Sequence, residues 1–379
     1  VHDAVRKAVV PFLSDVRTPT PGAKVLLKIN LLSPSKGPDR PVNTHPAVVR
    51  ALAKIFKEDY GCRVAVGDST SSFSKGSTNK AFRNMGLDVL AAEAGFELFN
   101  VDAEETVPLK NPGNRIITEV LVPKRLRGFD FIVSVAKLKT HELVGYTGAL
   151  KNMLGCIPGK MKRDVHVQAP TSKRMADALC DVYTFVRPHF AVMDGVVAMQ
   201  GAGPSAGEPY QAGLIGASDD AVSLDAVMAH LLGFAEQEVL TIRRAHERGL
   251  GVGDLRRIRV IGERTDACRC AGFKKPSNAG KLFLESVIPS AILSKAIDTV
   301  VSFVPYIDTE KCIRCFECVK GCPADCIVDS HGKLIIDKKR CIECFCCQEV
   351  CPANAVVVKP PLAKVMLGKV QKFIEHISG

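Results

Sequence analysis

The sequence predicts an α/β domain with a mostly parallel sheet and flanking helices, followed by a small α+β module near the C-terminal end. Three observations lead there. Strand-like apolar runs alternate with helix-period segments from residue 25 to residue 261, the pattern of repeated βα units. Most of the fifteen cysteines crowd between Cys312 and Cys351 at regular spacing. The length of 379 residues accommodates one large and one small domain.

In chain order, 25–29 reads as a strand, 46–56 as a helix and 63–66 as a strand. Segments 79–85 and 89–94 read as helices, and 116–122 and 131–135 as strands. A helix over 174–186 precedes a strand over 190–193. The strand-like run 214–217 leads to a helix over 221–232, then a helix over 237–247 and a last strand over 257–261. Ligands of such domains sit in loops at the C-terminal ends of the strands. The α/β domain spans 1–265 and a connector spans 266–304. The connector carries an amphipathic run that Pro289 splits into two short helices. The cysteine module spans 305–360, and 361–379 reads as a terminal amphipathic helix. Its polar side carries only Lys364, Lys369, Lys372, Glu375 and His376, which favours docking on the protein over binding a membrane.

Composition excludes several classes. No stretch approaches the roughly 20 apolar residues needed to span a bilayer, so no integral membrane segment is expected. Trp is absent and aromatics make up 6%, a poor supply for stacking single-stranded nucleic acid. The net charge of +11 is uneven. Charges balance between 308 and 359, whereas 124–174 holds eleven basic residues against three acidic ones. That excess prepares a surface for a carboxylate, a phosphate or an acidic partner. Nucleic acid is not expected, because no recognised binding motif accompanies it. Crowded, regularly spaced cysteines point to metal ligation in a reducing compartment, the cytoplasm. The chain begins at Val1 rather than Met, so a preceding targeting segment lies outside this reading.

The motif Cys312-x2-Cys315-x2-Cys318-x3-Cys322-Pro323 recurs as Cys341-x2-Cys344-x2-Cys347-x3-Cys351-Pro352. Three closely spaced thiolates wrap one face of a cubane, and the Cys before Pro reaches the other cluster. Cys312, Cys315, Cys318 and Cys351 are therefore expected to hold one [4Fe–4S] cluster. Cys341, Cys344, Cys347 and Cys322 are expected to hold a second. Zinc is the competing reading, but it has no use for a third close Cys or for Cys-Pro. Residues 329–333 fit a hairpin joining the halves. Cys326 and Cys346 are surplus, read as small buried thiols packed near a cluster, and Cys268-x-Cys270 is too little for a site. The module resembles bacterial two-cluster ferredoxins over its whole length.

In the α/β domain the sharpest segment runs from Ser134 through Lys137, Lys139, His141, Tyr146, Thr147, Lys151, Asn152, Gly155 and Lys160 to His166. It reads as a strand leaving the core into a polar loop and a short helix near Thr147, a ready anion site. This stretch resembles the family catalogued as domain of unknown function 362. Further matching parts are Lys28-Ile-Asn30, Thr44-His45-Pro46, Val66-Gly67-Asp68-Ser69, Asp194-Gly195 through Pro204, and Ser218-Asp219-Asp220 leading to Asp225. The resemblance covers roughly 1–261, its members often carry a C-terminal ferredoxin module, and the family name supplies no reaction. It implies a shared site built from these loops. Lys28, Asn30, Asp68, Ser69, Lys151, Asn152 and Asp194 are the expected substrate-binding residues, and His141 and Lys139 the expected catalytic ones. His141 suits a general acid near neutral pH, and Lys139 and Lys151 suit a substrate carboxylate or phosphate. His45 is read as a cap for the helix after it.

Two nucleotide-like motifs fail on context. Gly201-Ala-Gly203-Pro-Ser-Ala-Gly207 opens no helix, and Gly155-Cys-Ile-Pro-Gly159-Lys160 is one residue short of a P-loop, with Met161 in place of the magnesium-binding hydroxyl. Neither NAD nor ATP is expected. Asp68 to Ser72 reads equally as an anion-holding hydroxyl loop or a solvated turn. The leading expectation is an oxidoreductase relaying electrons through two [4Fe–4S] clusters to a small anionic substrate. The alternative is a non-enzymatic electron carrier or maturation factor whose basic face docks an acidic redox partner. Oligomeric state is open.

Overall fold

The computed structural model describes residues 1–15, 18–72, 74, 76–279 and 305–358. The expected helices beyond 280 in the connector and over 361–379 lie outside them. Helix α1 (His2–Asp15) leads into β1 (Lys24–Ile29), α2 (Pro46–Lys54), β2 (Arg63–Asp68), α3 (Ser77–Asn84), α4 (Leu87–Ala94) and β3 (Glu97–Asn100). A small ribbon of β4 (Thr106–Lys110) and β5 (Glu119–Pro123) follows. Then come β6 (Phe131–His141), β7 (Gly145–Thr147), α5 (Ala149–Asn152), α6 (Gly159–Gln168), α7 (Ser172–Phe185), β8 (Phe190–Gln200), β9 (Glu208–Ser218), α8 (Ala221–Leu231) and α9 (Leu240–Glu247).

The main sheet runs β3-β2-β1-β6-β8-β9, with β7 on β6. The pairs among β3, β2, β1, β6 and β8 are parallel, while β9 and β7 pair antiparallel. Apolar residues pack both faces, one layer around Leu26, Ala136 and Met153 and the other around Leu27, Val66 and Val133. A parallel sheet covered on both sides needs near-continuous apolar strands, and Val25–Ile29 and Val133–Val135 provide them.

Three local features differ from the sequence reading. Strand β6 continues to His141, so Lys137, Lys139 and His141 sit in the strand, fully buried, and not in a loop after it. The strand expected at 116–122 begins only at Glu119, because the buried Asp181 carboxylate accepts from the backbone N–H groups of Arg115, Ile116 and Ile117. Residues 258–261 form no strand. Leu255 and Ile258 pack against the core as anchors, while Val260 and Ile261 stay 45% and 58% exposed beside the edge of the sheet.

The C-terminal module pairs β10 (Pro305–Ile307) with β13 (Val356–Val358), and β11 (Ile327–Ser330) with β12 (Lys333–Ile336) as a hairpin. Its short helices are α10 (Glu317–Lys320) and α11 (Cys346–Val350). The halves repeat each other in backbone detail. Arg314 and Glu343, Phe316 and Phe345, and Asp325 and Asn354 occupy matching places, and all six have left-handed φ between 47° and 60°. Such residues cost on the order of 1 kcal/mol each, so something must hold both loops in this form.

Candidate functional site

Each motif gathers its thiols as the spacing requires. Cys318 is surrounded by Cys351, Cys315 and Cys312, and Cys347 by Cys344, Cys341 and Cys322. The Cys326 N–H points at Cys322 Sγ (3.3 Å), and the Ala355 N–H at Cys351 Sγ (3.2 Å). Amide donors aimed at sulfur, two quartets of thiols and two identically wound loops fit two cubane clusters. They would be held by Cys312, Cys315, Cys318 and Cys351, and by Cys341, Cys344, Cys347 and Cys322.

The module docks on the loops at the C-terminal end of the parallel strands through polar contacts. Ser72 and Ser74 hydroxyls donate to Glu317 (3.1 and 2.8 Å). Lys36 Nζ donates to the Pro352 carbonyl (2.7 Å) and Ser205 Oγ to that of Gln348 (2.9 Å). Arg163 pairs with Asp325 at 3.0 Å. These contacts close a cavity of about 60 Å³, room for a molecule of a few heavy atoms. The α/β domain lines it with Asn30, Asp68, Ser69, Thr147, Lys151 and His166, among others, and the module with Cys346, Glu349 and Val350.

Behind the wall lies a scaffold of buried ions. Lys28 Nζ meets Asp68 Oδ1 at 2.8 Å and donates to the carbonyls of Ile29 (2.8 Å) and Asn152 (2.9 Å). Asp68 also accepts from the N–H groups of Leu31 (2.5 Å) and Ser69 (2.7 Å). A β-carbon on Gly155 would sit 1.9 Å from Asp68 Oδ1, so only glycine lets this turn pass the ion pair. Lys139 Nζ is taken up by Asn30 Oδ1 and the Val42 carbonyl, both 2.7 Å. Burial, and then Lys151, push its pKa well down. Asp194 accepts from Lys137 Nζ and the His45 N–H, each at 2.9 Å. The His45 side chain caps α2 by accepting from the Ala47 N–H. From a different helix, Asp225 accepts from the N–H groups of Ala149 (2.6 Å) and Leu150 (2.9 Å), fixing α5 and thus Lys151 and Asn152.

The groups facing the cavity are less satisfied. Lys151 has no hydrogen-bond or ion-pair partner among the described residues; burial lowers its pKa, against which Glu349 and Cys346 act. Thr147 Oγ1 is buried without a hydrogen-bond partner among the described residues. Lys162 Nζ uses two donors on the carbonyls of Ser69 (2.7 Å) and Thr70 (3.2 Å). His166 is held by a 2.7 Å bond from Nδ1 to the Lys162 carbonyl. A carbonyl only accepts, so Nδ1 carries the proton and Nε2 is left as the free nitrogen of the neutral ring.

His141 is placed differently from the sequence expectation. It is fully buried and not part of the cavity wall. Its Nδ1 accepts from the Leu143 N–H at 3.1 Å, which puts the ring proton on Nε2, 3.2 Å from Glu349 Oε1. Burial, then Lys151, hold its pKa at about 4 despite Glu349. Burial would raise the Glu349 carboxyl, but the nearby His141 ring and Lys151 outweigh it and hold it at about 2. A neutral imidazole thus faces a carboxylate, and a second ring proton on His141 would collide with the Leu143 amide. His141 is suited to orienting Glu349 and unsuited to donating a proton near pH 7.

Of the expected α/β residues, Asn30, Asp68, Ser69, Lys151 and Asn152 line the cavity, while Lys28, Lys139, His141 and Asp194 stand behind it as scaffold. Thr147, His166, Cys346 and Glu349 join the wall without having been singled out as site residues. The first two lay inside the segment read as an anion site. For Glu349 the only sequence signal was an acidic residue between two ligand cysteines.

Comparison with known proteins agrees with this division. Residues 304–354 match a family described as a 4Fe–4S dicluster domain, which supports cluster binding by the module's cysteines. The thylakoid-associated protein sll1697 of Synechocystis sp. is 30% identical over 238 residues, covering 61% of this chain and 69% of that one. The lactate racemase apoprotein from Thermoanaerobacterium thermosaccharolyticum superimposes with a TM-score of 0.38 at 13% identity, covering 59% of this chain and 55% of that one. This chain thus spans little more than half the length of that solved structure. Residues 25–230 match the family described as domain of unknown function (DUF362), and the chain belongs to that family.

Proposed function

We infer that this protein is an oxidoreductase that reduces a small anionic molecule in the cavity with electrons from its iron–sulfur module. The observation carrying this reading is the shared wall: Cys346 and Glu349, flanking ligand Cys347 in the sequence, face the same space as Lys151, Thr147 and His166. When bound, the clusters supply electrons one at a time. The chain's own residues do the rest. The unpaired Lys151 ammonium neutralises a substrate oxyanion in a low-dielectric site, where such a contact is strongest. Thr147 Oγ1 offers a hydroxyl, and the third donor of Lys162 adds positive charge. His166 Nε2 is the position for holding and moving a proton, the role the sequence reading gave to His141. His141 is a positioning residue that keeps the Glu349 carboxylate in place. The cysteines outside the two quartets are free thiols, which suits a reducing compartment such as the cytoplasm.

The test is anaerobic. Purified protein with reduced clusters is mixed with small-molecule and protein fractions of a cell extract while the cluster absorbance is followed. Rapid reoxidation by one small-molecule fraction, lost in Lys151→Met and His166→Gln variants with intact clusters, is the expected result. Reoxidation by the protein fraction alone would overturn it in favour of an electron carrier or maturation factor.

A further inference from the structure

The two cysteine motifs repeat each other, so each cluster site serves as the control for the other. In that repeat Glu317 stands where the second motif has Cys346, and Ala355 stands where the first has Cys326. Both surplus thiols fall on one site. Cys326 Sγ lies 3.4 Å from Cys322 Sγ, and the buried Cys346 opens α11 directly before Cys347. Cys322 and Cys347 belong to the same ligand set. The other set, Cys312, Cys315, Cys318 and Cys351, has Glu317 and Ala355 at the corresponding places and no extra thiol there. The backbone donors match at 3.3 and 3.2 Å, so the two sites differ in their side chains.

Neither thiol is needed as a ligand, since both quartets are complete without them. Both are buried, Cys326 against the Cys322 sulfur and Cys346 next to Cys347 in the chain. A thiol placed against a ligand sulfur has an S–H to donate to it. Hydrogen bonds to cluster sulfurs and local charge set the potential, and a donor favours the more negative, reduced form.

We propose that Cys326 and Cys346 are tuning residues that raise the reduction potential of the centre held by Cys322, Cys341, Cys344 and Cys347 above that of its twin. The electron then rests at the centre whose motif lines the cavity. The use of this asymmetry rests on reading the cavity as the site of reduction; the asymmetry itself does not, and it is measurable with no substrate present.

The experiment is a redox titration of the full, cluster-loaded chain, followed by electron paramagnetic resonance and iron content. Wild type is compared with Cys326→Ala, Cys346→Ala, the double variant and the two Cys→Ser variants. Wild type is expected to show two separated one-electron waves. Each Ala variant lowers the upper wave and leaves the lower one in place. The double variant shifts the reduction equilibrium of that centre at least tenfold, about 59 mV for one electron. Serine, whose hydroxyl also donates, restores most of the shift. One unresolved wave in wild type, or both waves moving together in the Ala variants, would overturn the proposal. So would iron loss shared by the Ala and Ser variants, which would make these cysteines ligands.

Discussion

Replacing Lys151 with Met separates a binding residue from a structural one. The side chain is nearly isosteric, keeps an apolar stem and removes only the ammonium. In the free protein that ammonium stands half-buried in the cavity wall without a partner among the described residues, and burial lowers its pKa. A half-buried, uncompensated charge costs stability, so Lys151→Met should be more stable than wild type, by up to about 1 kcal/mol. Anion binding should move the opposite way. A unit charge about 4 Å from an anion at an effective dielectric constant near 20 contributes about 4 kcal/mol before desolvation. A net loss of about 2 kcal/mol is a roughly 30-fold weaker affinity. The assay is isothermal calorimetry with acetate at constant ionic strength, paired with denaturant unfolding of both proteins under anaerobic conditions. Greater stability with weaker acetate binding is the signature of a residue kept for function at a cost to the fold. Lower stability with unchanged binding would refute the reasoning, because Lys151 would then be part of the scaffold.

Other substitutions probe the scaffold. Gly155→Ala drives a methyl to within 1.9 Å of Asp68 Oδ1 and 2.6 Å of Lys28 Nζ; parting that buried pair should cost about 3–5 kcal/mol in denaturant unfolding. Arg163→Ala removes an ion pair whose Asp325 side chain is 69% exposed, and unfolding should change by less than about 1 kcal/mol. His141 gives a pH dependence. Its pKa is about 4 in the fold against 6.5 ordinarily. Its contribution is therefore complete above pH 6.5 and is lost as pH falls through 4. The sum is about 3 kcal/mol at 1.36 kcal/mol per pKa unit. Wild type should lose stability relative to His141→Gln over that window, and parallel pH profiles would count against the neutral-imidazole assignment.

The cysteine motifs were legible because cluster chemistry fixes ligand spacing within a few residues of chain. The alternating α/β pattern was legible because a covered parallel sheet demands apolar strands. The direction in which polar strand residues face was harder to read. Lys137, Lys139 and His141 alternate along β6 and so share one face, a regularity visible in the sequence. Read as a loop, they seemed open to substrate; in the strand they form a buried layer held by Asp194, Asn30 and Glu349. The cavity depends on contacts across roughly 200 residues of chain, such as His141 with Glu349, and no local pattern announces such a pair. Asp68 and Ser69 reached the wall because they lie at the end of β2, and Lys151 and Asn152 because they lie in the short α5 after β7, where α/β sites form.

Where an anion sits is the most direct measurement. Crystals of the cluster-loaded chain, grown anaerobically and soaked in acetate, should show the carboxylate within hydrogen-bond reach of Lys151 Nζ and Thr147 Oγ1, beside Cys346 and facing His166 Nε2. A cavity holding only water at saturating acetate, with Lys151 turned onto Glu349, would contradict the assignment of this space as the site of reduction.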